Sequence, residues 1–437
     1  MLKILLTTAL LVTVAFSQDD EESNIFENID FEYTAYANSF NTNVIDGEKY
    51  SRYELWNKLN IRNKIDVTDN IQLTTDVVAM FSNNRNNYNG ILTGANDSEQ
   101  TIRYIDISKL YLTYFLDDMD IYLGKKSKKI GLSEIYNPTD IFSKNVLPSP
   151  QHPVEMGDFT LGVDYYIEDD TLSFNIFPTT TSYGMPDIAS RWLQGSGDLS
   201  FFGGSGGSSL PAGAVIENEK NDSNLRNWGF LLQYAGMIEG IDYYTYVSRK
   251  KSNFPVLIQD SLSKYTKIYP MSTYLAAGFL KVHKENKFYM DIVYQNTEDD
   301  FDQDFIKYNI GAKHRQSEYA SEVGLDEIAI IAELSKEIIV NKDLSNSVYQ
   351  NSEDSRVNKN NLTLSAHFIK DSQLSYMYTI NYSINNYDSF QNHTVKYNRT
   401  DNQTFYLSYY SYDGVDGTNF GRWKDNDNIE IGVEYKF

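Results

Sequence analysis

Apolar and polar residues alternate with a period of two through most of the chain. At 29–37, Ile29, Phe31, Tyr33, Ala35 and Ala37 interleave with Asp30, Glu32, Thr34 and Tyr36. At 53–62, Tyr53, Leu55, Leu59 and Ile61 interleave with Glu54, Trp56, Lys58, Asn60 and Arg62. At 159–168, Phe159, Leu161, Val163, Tyr165 and Ile167 leave Thr160, Gly162, Asp164, Tyr166 and Glu168 on the opposite side. The same phase runs through 374–385, from Leu374 to Ile384, and through 288–295, 306–313 and 362–368. Period two marks a strand with one apolar and one wet face. The segments 102–116 and 403–412 are apolar on both faces, which leaves their phase open.

Short turns near 64–69, 117–118, 168–170, 238–240, 284–286, 314–321, 370–372 and 399–402 alternate with longer connections. The longer ones lie near 40–49, 82–101, 127–157, 179–224, 250–264, 297–304, 341–360, 386–392 and 413–427. Tight turns on one side and long loops on the other are the asymmetry of an outer-membrane barrel. Eight short turns and nine long loops predict about 18 strands, with 16 the nearest alternative and both termini on the short-turn side. The weakest strand is 393–398, which Lys396 and Asn398 interrupt. The expected fold is all-β, a transmembrane antiparallel β-barrel over 29–437.

The first seventeen residues read as a secretory leader: Lys3, an apolar run from Ile4 to Phe16, and small residues before Gln18. Residues 18–28 would be a short periplasmic segment. No later stretch approaches the ~20 apolar residues that a membrane helix needs. A barrel hides its hydrophobicity in alternation, so a negative mean hydropathy does not count against one. Among 437 residues there are 35 tyrosines and 23 phenylalanines, too many aromatics for a disordered chain. The absence of cysteine excludes a disulfide scaffold, a zinc-thiolate site and a thiol nucleophile. A net charge of −22 makes nucleic acid an unsuitable partner.

A secreted β-sandwich would alternate too. Two features weigh against it: tyrosine and phenylalanine gather near strand ends on the apolar face, and the polar face carries many charges. The expected lumen wall includes Asp30, Glu32, Glu54, Lys58, Arg62, Asp164, Lys307, Lys313 and Arg315. With Asp158, Glu168, Glu430, Glu434 and Lys436 added, acids and bases nearly balance, so no firm ion preference follows.

The final strand alternates Ile429, Ile431, Val433, Tyr435 and Phe437 with Glu430, Gly432, Glu434 and Lys436. This resembles the C-terminal insertion signal of Gram-negative outer-membrane β-barrels, in which a terminal aromatic follows apolar residues at every second place. Ile431, Val433, Tyr435 and Phe437 would then be read by the barrel-assembly machinery. A second segment, 121–142, resembles porin-like barrels through Gly124, Lys125, Gly131, Asn137, Pro138 and Asp140, although Lys126 stands where Gln is usual. The resemblance implies a porin-like channel for passive or selective diffusion of small hydrophilic solutes, set among outer-membrane lipid and lipopolysaccharide. It leaves open whether the protein is a monomer or a trimer.

The same region concentrates Pro138, Pro148, Pro150 and Pro153 behind Lys125, Lys126, Lys128 and Lys129. Proline fixes φ and stiffens a loop. By the strand count the loop 127–157 follows the fifth strand, the connection that in general porins folds inward as a constriction. Lys125, Lys126, Lys128, Lys129 and Asp140 are its candidate pore residues, and an inward loop would carry their positive field into the passage. The competing reading is an external loop whose lysines meet lipopolysaccharide phosphates. The glycine-rich connection 179–224, with Phe201 and Phe202, reads as a surface loop.

The five histidines are scattered, and no G-x-S-x-G or H-E-x-x-H occurs, so no enzyme, cofactor or metal is expected. The alternatives are an adhesin or structural barrel with a plugged lumen and, last, an outer-membrane hydrolase.

Overall fold

A computed structural model describes residues 29–437 apart from 46, 84–90, 93–101, 180–183, 185–189, 193–214, 220–223, 254–255, 342–344, 346–359 and 417. The leader, the segment 18–28 and the glycine-rich stretch with Phe201 and Phe202 lie outside the described residues. Eighteen strands form one antiparallel sheet closed on itself, the count that the turns and loops predict. They are β1 Ile29–Phe40, β2 Tyr53–Thr68, β3 Ile71–Ser82, β4 Ile105–Phe115, β5 Met119–Lys126 and β6 Asp158–Ile167. Next come β7 Asp170–Phe177, β8 Gly229–Ile238, β9 Ile241–Lys251, β10 Met271–His283, β11 Asn286–Thr297 and β12 Asp304–Gln316. The last are β13 Glu327–Asn341, β14 Asn361–Lys370, β15 Leu374–Ser383, β16 Asp388–Thr400, β17 Gln403–Asp413 and β18 Asn428–Lys436. β1 closes the ring by pairing with both β2 and β18.

Period two sorts each strand into an outer apolar set and an inner polar one. On β10, Leu275 is 57% exposed while its neighbours Tyr274 and Ala276 are 4% and 3% exposed. On β18, Ile429 and Ile431 are exposed, whereas Asn428 and Glu430 are buried. Leu55, Leu161, Phe279, Ile330, Leu364 and Leu407 continue the exposed apolar set around the ring. A closed band of this kind is at home only against hydrocarbon.

Two connections differ from the sequence reading. The stretch 386–392, expected to be a long loop, is a tight connection at 384–387 with Tyr387 at φ 55°, and β16 already runs from Asp388. β16 carries polar residues on both faces, inward Asn392 and Lys396 and outward Gln391 and His393, so its alternation is weak although its ladders are long. The turn expected at 314–321 lies at 317–326 and holds a short helix, Glu318–Glu322.

The inner wall is locked by tyrosines laid over glycines. Tyr122, Tyr244, Tyr289 and Tyr406 directly face Gly162, Gly278, Gly311 and Gly432 on the adjacent strand. Each ring occupies the place where a Cβ on that glycine would lie, its nearest atom no more than 2.4 Å away. Such cross-strand pairs fill the gap that a strand glycine leaves.

Candidate functional site

The connection 127–157 enters the barrel, and the local sequence dictates how. Two residues before the end of β5, Gly124 sits at φ +136°, where a Cβ would meet Leu110 O at 2.2 Å. Gly131, at φ +133°, leaves room for the Asn137 side chain, which a Cβ would strike. Asn137 Nδ2 donates to Ile130 O at 2.8 Å, and its Oδ1 accepts from Thr139 N at 3.1 Å. Pro138 and Thr139 are buried, and Asp140 Oδ1 accepts from Ser143 N at 3.2 Å. The residues of the porin-like segment thus form the turn that shapes the loop.

The first leg of the loop lies against β8 to β13. Ile130 and Phe142 pack with Phe177, Leu231, Tyr244, Tyr246 and Tyr274. Asp291 accepts from Leu132 N and Ser133 N, the latter at 2.7 Å, and from Ser133 Oγ. Glu333 accepts from the main-chain N–H groups of Glu134, Ile135 and Tyr136 at 3.0, 2.9 and 2.9 Å. The Tyr136 hydroxyl donates to Glu337 at 2.6 Å.

The second leg is held by side chains, starting beside β9 and crossing to β17, β18 and β1 to β3. Lys144 Nζ donates to Asn253 Oδ1 and stands 3.9 Å from Asp158, which also takes Lys250 at 3.3 Å. All three charged groups are buried. Burial pushes the Lys144 ammonium down to about 7 against the pull of Asp158, with Lys250 adding to the fall. His152 Nε2 meets the buried Glu430 at 2.6 Å, its ring stacked 4.1 Å from Tyr36, and Gln151 donates to the Tyr412 hydroxyl. Val146 and Met156 pack with Trp56, Val78 and Met80.

The lysines that the sequence singles out are mostly neutralised in place. Lys125 is 3.7 Å from Asp106, Lys128 is 3.7 Å from Asp164, and Lys129 is 3.0 Å from Glu155. Lys126 Nζ sits 3.3 Å above the Tyr122 ring. Burial lowers the pKa of Lys128, opposed by Asp164, while the same effect raises that of Asp140. The expected concentrated positive field is therefore spread among ion pairs, and Lys129 is the most exposed of the paired three, at 67% of its side chain.

Along the wall, Glu32 takes Arg62 at 3.0 Å and Lys58 at 4.0 Å, and Arg62 also reaches Asp76 at 3.6 Å. Asp30 faces Arg62 across the ladder. Lys307 pairs with Glu337, Arg315 with Glu327, and Lys313 with the loop's own Glu134, which Lys287 holds at 2.6 Å. Burial works to raise the pKa of Glu134, but the two ammoniums bring it below its ordinary value. Glu54 is buried, and Asp164 accepts from Ser173 Oγ at 2.6 Å. Ile431, Val433 and Tyr435 face outward on β18, and the Phe437 ring stacks on Phe31 at 5.3 Å.

Sequence reasoning missed Asp291 and Glu333. Their only signal is a lone carboxylate between apolar neighbours, Met290 with Ile292 and Ala332 with Leu334. It also missed the buried Arg191. That guanidinium donates to Asn426 Oδ1 at 2.8 Å and Ser51 O at 2.8 Å and lies over Phe40, while Trp192 packs with Tyr412 and Trp423. Ser365 Oγ is 3.1 Å from His367 Nε2 and 2.7 Å from Thr379 Oγ1, a hydroxyl chain on the inner wall.

The backbone arrangement is similar to OpdQ of Pseudomonas aeruginosa, with a TM-score of 0.50 over 94% of this chain and 97% of that one. The chain has the porin fold. The likeness lies in the fold, since identity to OpdQ is 8%. A mutant porin of Rhodopseudomonas blastica matches over 94% of this chain and 99% of that one, at 9% identity and a TM-score of 0.39. No protein-family model matches the chain, and no curated protein matches it in sequence. Within this porin fold, the inward loop and the charged wall around it form the candidate site.

Proposed function

We propose that the protein is an outer-membrane porin-like channel through which small hydrophilic solutes diffuse. One observation carries the reading: a closed barrel with an apolar outer belt holds the loop 127–157 against its polar inner wall. Such a loop narrows a water-filled passage, and the charges lining it filter what passes. His367 lies beside Ser365 on the inner wall, as a polar lining residue would. The alternating C-terminal strand ending at Phe437 supports delivery by the barrel-assembly machinery, and the outer belt supports contact with lipid and lipopolysaccharide.

A second reading, a plugged barrel acting through its loops, draws on Arg191 and Trp192. They carry the long connection after β7 across to the loops 41–52 and 414–427. Single-channel recording of the pure protein in planar bilayers separates the two. Discrete open steps with a linear dependence on salt are expected, and a chain that inserts without any open step would sink the channel reading in favour of the plug.

A further inference from the structure

Five consecutive main-chain N–H groups, from residue 132 to residue 136, end on two carboxylates of the barrel wall. Successive amides converging on an anion make a binding concavity. Here the barrel itself supplies the anion. Asp291 on β11 is further fixed by the Tyr244 hydroxyl at 2.5 Å, and Glu333 on β13 by the Tyr289 hydroxyl at 2.7 Å. Asp291 and Glu333 are 0% and 1% exposed. They do not touch a solute in the passage; they act through the loop.

We infer that Asp291 and Glu333 are the positioning residues that set the aperture, by gripping the main chain of the loop's first leg from behind. The inference rests on the channel reading. A carboxylate suits the task because all its lone pairs accept, whereas an amide in its place would turn an NH2 toward N–H donors. Apart from the Ser133 hydroxyl, which also donates to Asp291, the grip is on main-chain groups and does not depend on the side chains of 132–136. The aperture is then set by the wall: the exposed Ile135 can change without moving the first leg, while neutralising either acid loosens it.

The test uses the full chain in planar bilayers at about 1 M salt, where the screening length is ~3 Å and the loss of two buried charges has little direct effect on ion flow. Wild type, Ile135→Ala, and the double variant Asp291→Asn/Glu333→Gln are compared for heat-modifiable migration, single-channel conductance, current noise and the largest neutral polymer that enters. The double variant is expected to fold and to differ from wild type by ~2-fold in conductance, with flickering sub-levels and a shifted polymer cut-off, as a displaced constriction requires. Ile135→Ala should match wild type. If the double variant fails to assemble, Glu333→Gln alone, which leaves the Asp291 grip in place, carries the same readouts. A folded variant with wild-type conductance, noise and cut-off overturns the inference while the channel reading stands. A wild-type protein without open steps overturns both.

Discussion

The two faces of the barrel wall are made by the same strands and obey different rules. On the outer face each residue answers to one requirement, an apolar surface toward hydrocarbon, and neighbours there are nearly independent. On the inner face residues are interlocked. Asp291 meets the loop 159 positions away along the chain, Tyr136 reaches Glu333 over 197 positions, and Tyr122 fits only because Gly162 has no side chain. The outer face can therefore change one residue at a time, whereas the inner face changes in sets.

The largest test of that contrast sets adjacent residues of β15 against each other. Tyr378→Arg puts a charge toward lipid and should cost ~2–4 kcal/mol if it lies near mid-depth, by the depth dependence of barrel substitutions. Thr379→Arg points into the wet interior, where its charge stays hydrated at the loss of one hydroxyl contact to Ser365, and should cost less in urea unfolding from lipid vesicles. Equal costs would erase the distinction. Next in size is Gly162→Val, which drives a side chain into the Tyr122 ring and should lose ~1–3 kcal/mol as an overpacked site. On the outer face, Leu161→Val, one residue away, should be milder by the same measurement. A Gly162→Val barrel as stable as wild type would show that the inner pairs are not interlocked.

A smaller effect concerns Lys144. Its folded pKa of about 7 lies below the ordinary lysine value, so the docked loop binds fewer protons than the released one. Docking should then strengthen as pH rises from about 7 toward the ordinary lysine range, and the cost of the buried charge is fully present below that window. Open-channel noise should fall between about pH 7 and pH 10 in wild type and stay level in Lys144→Met. Noise that varies with pH in both would assign the titration to another group. The smallest effect is expected from the lysines flanking the loop. Lys129→Gln should move the reversal potential at low salt, and Lys125→Gln, paired and largely covered, should leave it unchanged.

What could be read from the chain follows the same division. Outer positions such as Leu55, Leu161 and Ile431 declare themselves because one rule repeated every second residue survives in a single sequence. β16 resisted, since Gln391 and His393 face outward where the rule demands apolar residues. The cluster of prolines and lysines marked the loop 127–157 as unusual, yet the ion pairs that quench Lys125, Lys128 and Lys129 depend on Asp106, Asp164 and Glu155 arriving from elsewhere. Asp291, Glu333 and the tyrosine–glycine pairs were illegible for a related reason. Their meaning lies in register across strands, and alternation within one strand says nothing about which residue stands opposite.

Because β18 bonds to β1 as well as to β17, it governs the order in which the molecule can assemble. Phe31 and Phe437 exchange main-chain hydrogen bonds at 2.9 and 3.0 Å, so the seam joins the first barrel strand to the last one synthesised. The second leg of the inward loop leans on the same seam, through His152 on Glu430 and Gln151 on Tyr412. Until β18 arrives, β1 and β17 are open edges able to pair with another chain, and the loop has only half its partners. Contacts this distant in sequence form late and slowly. A nascent barrel is thus neither sealed nor fitted with its constriction until its final strand docks, and both are completed in one step.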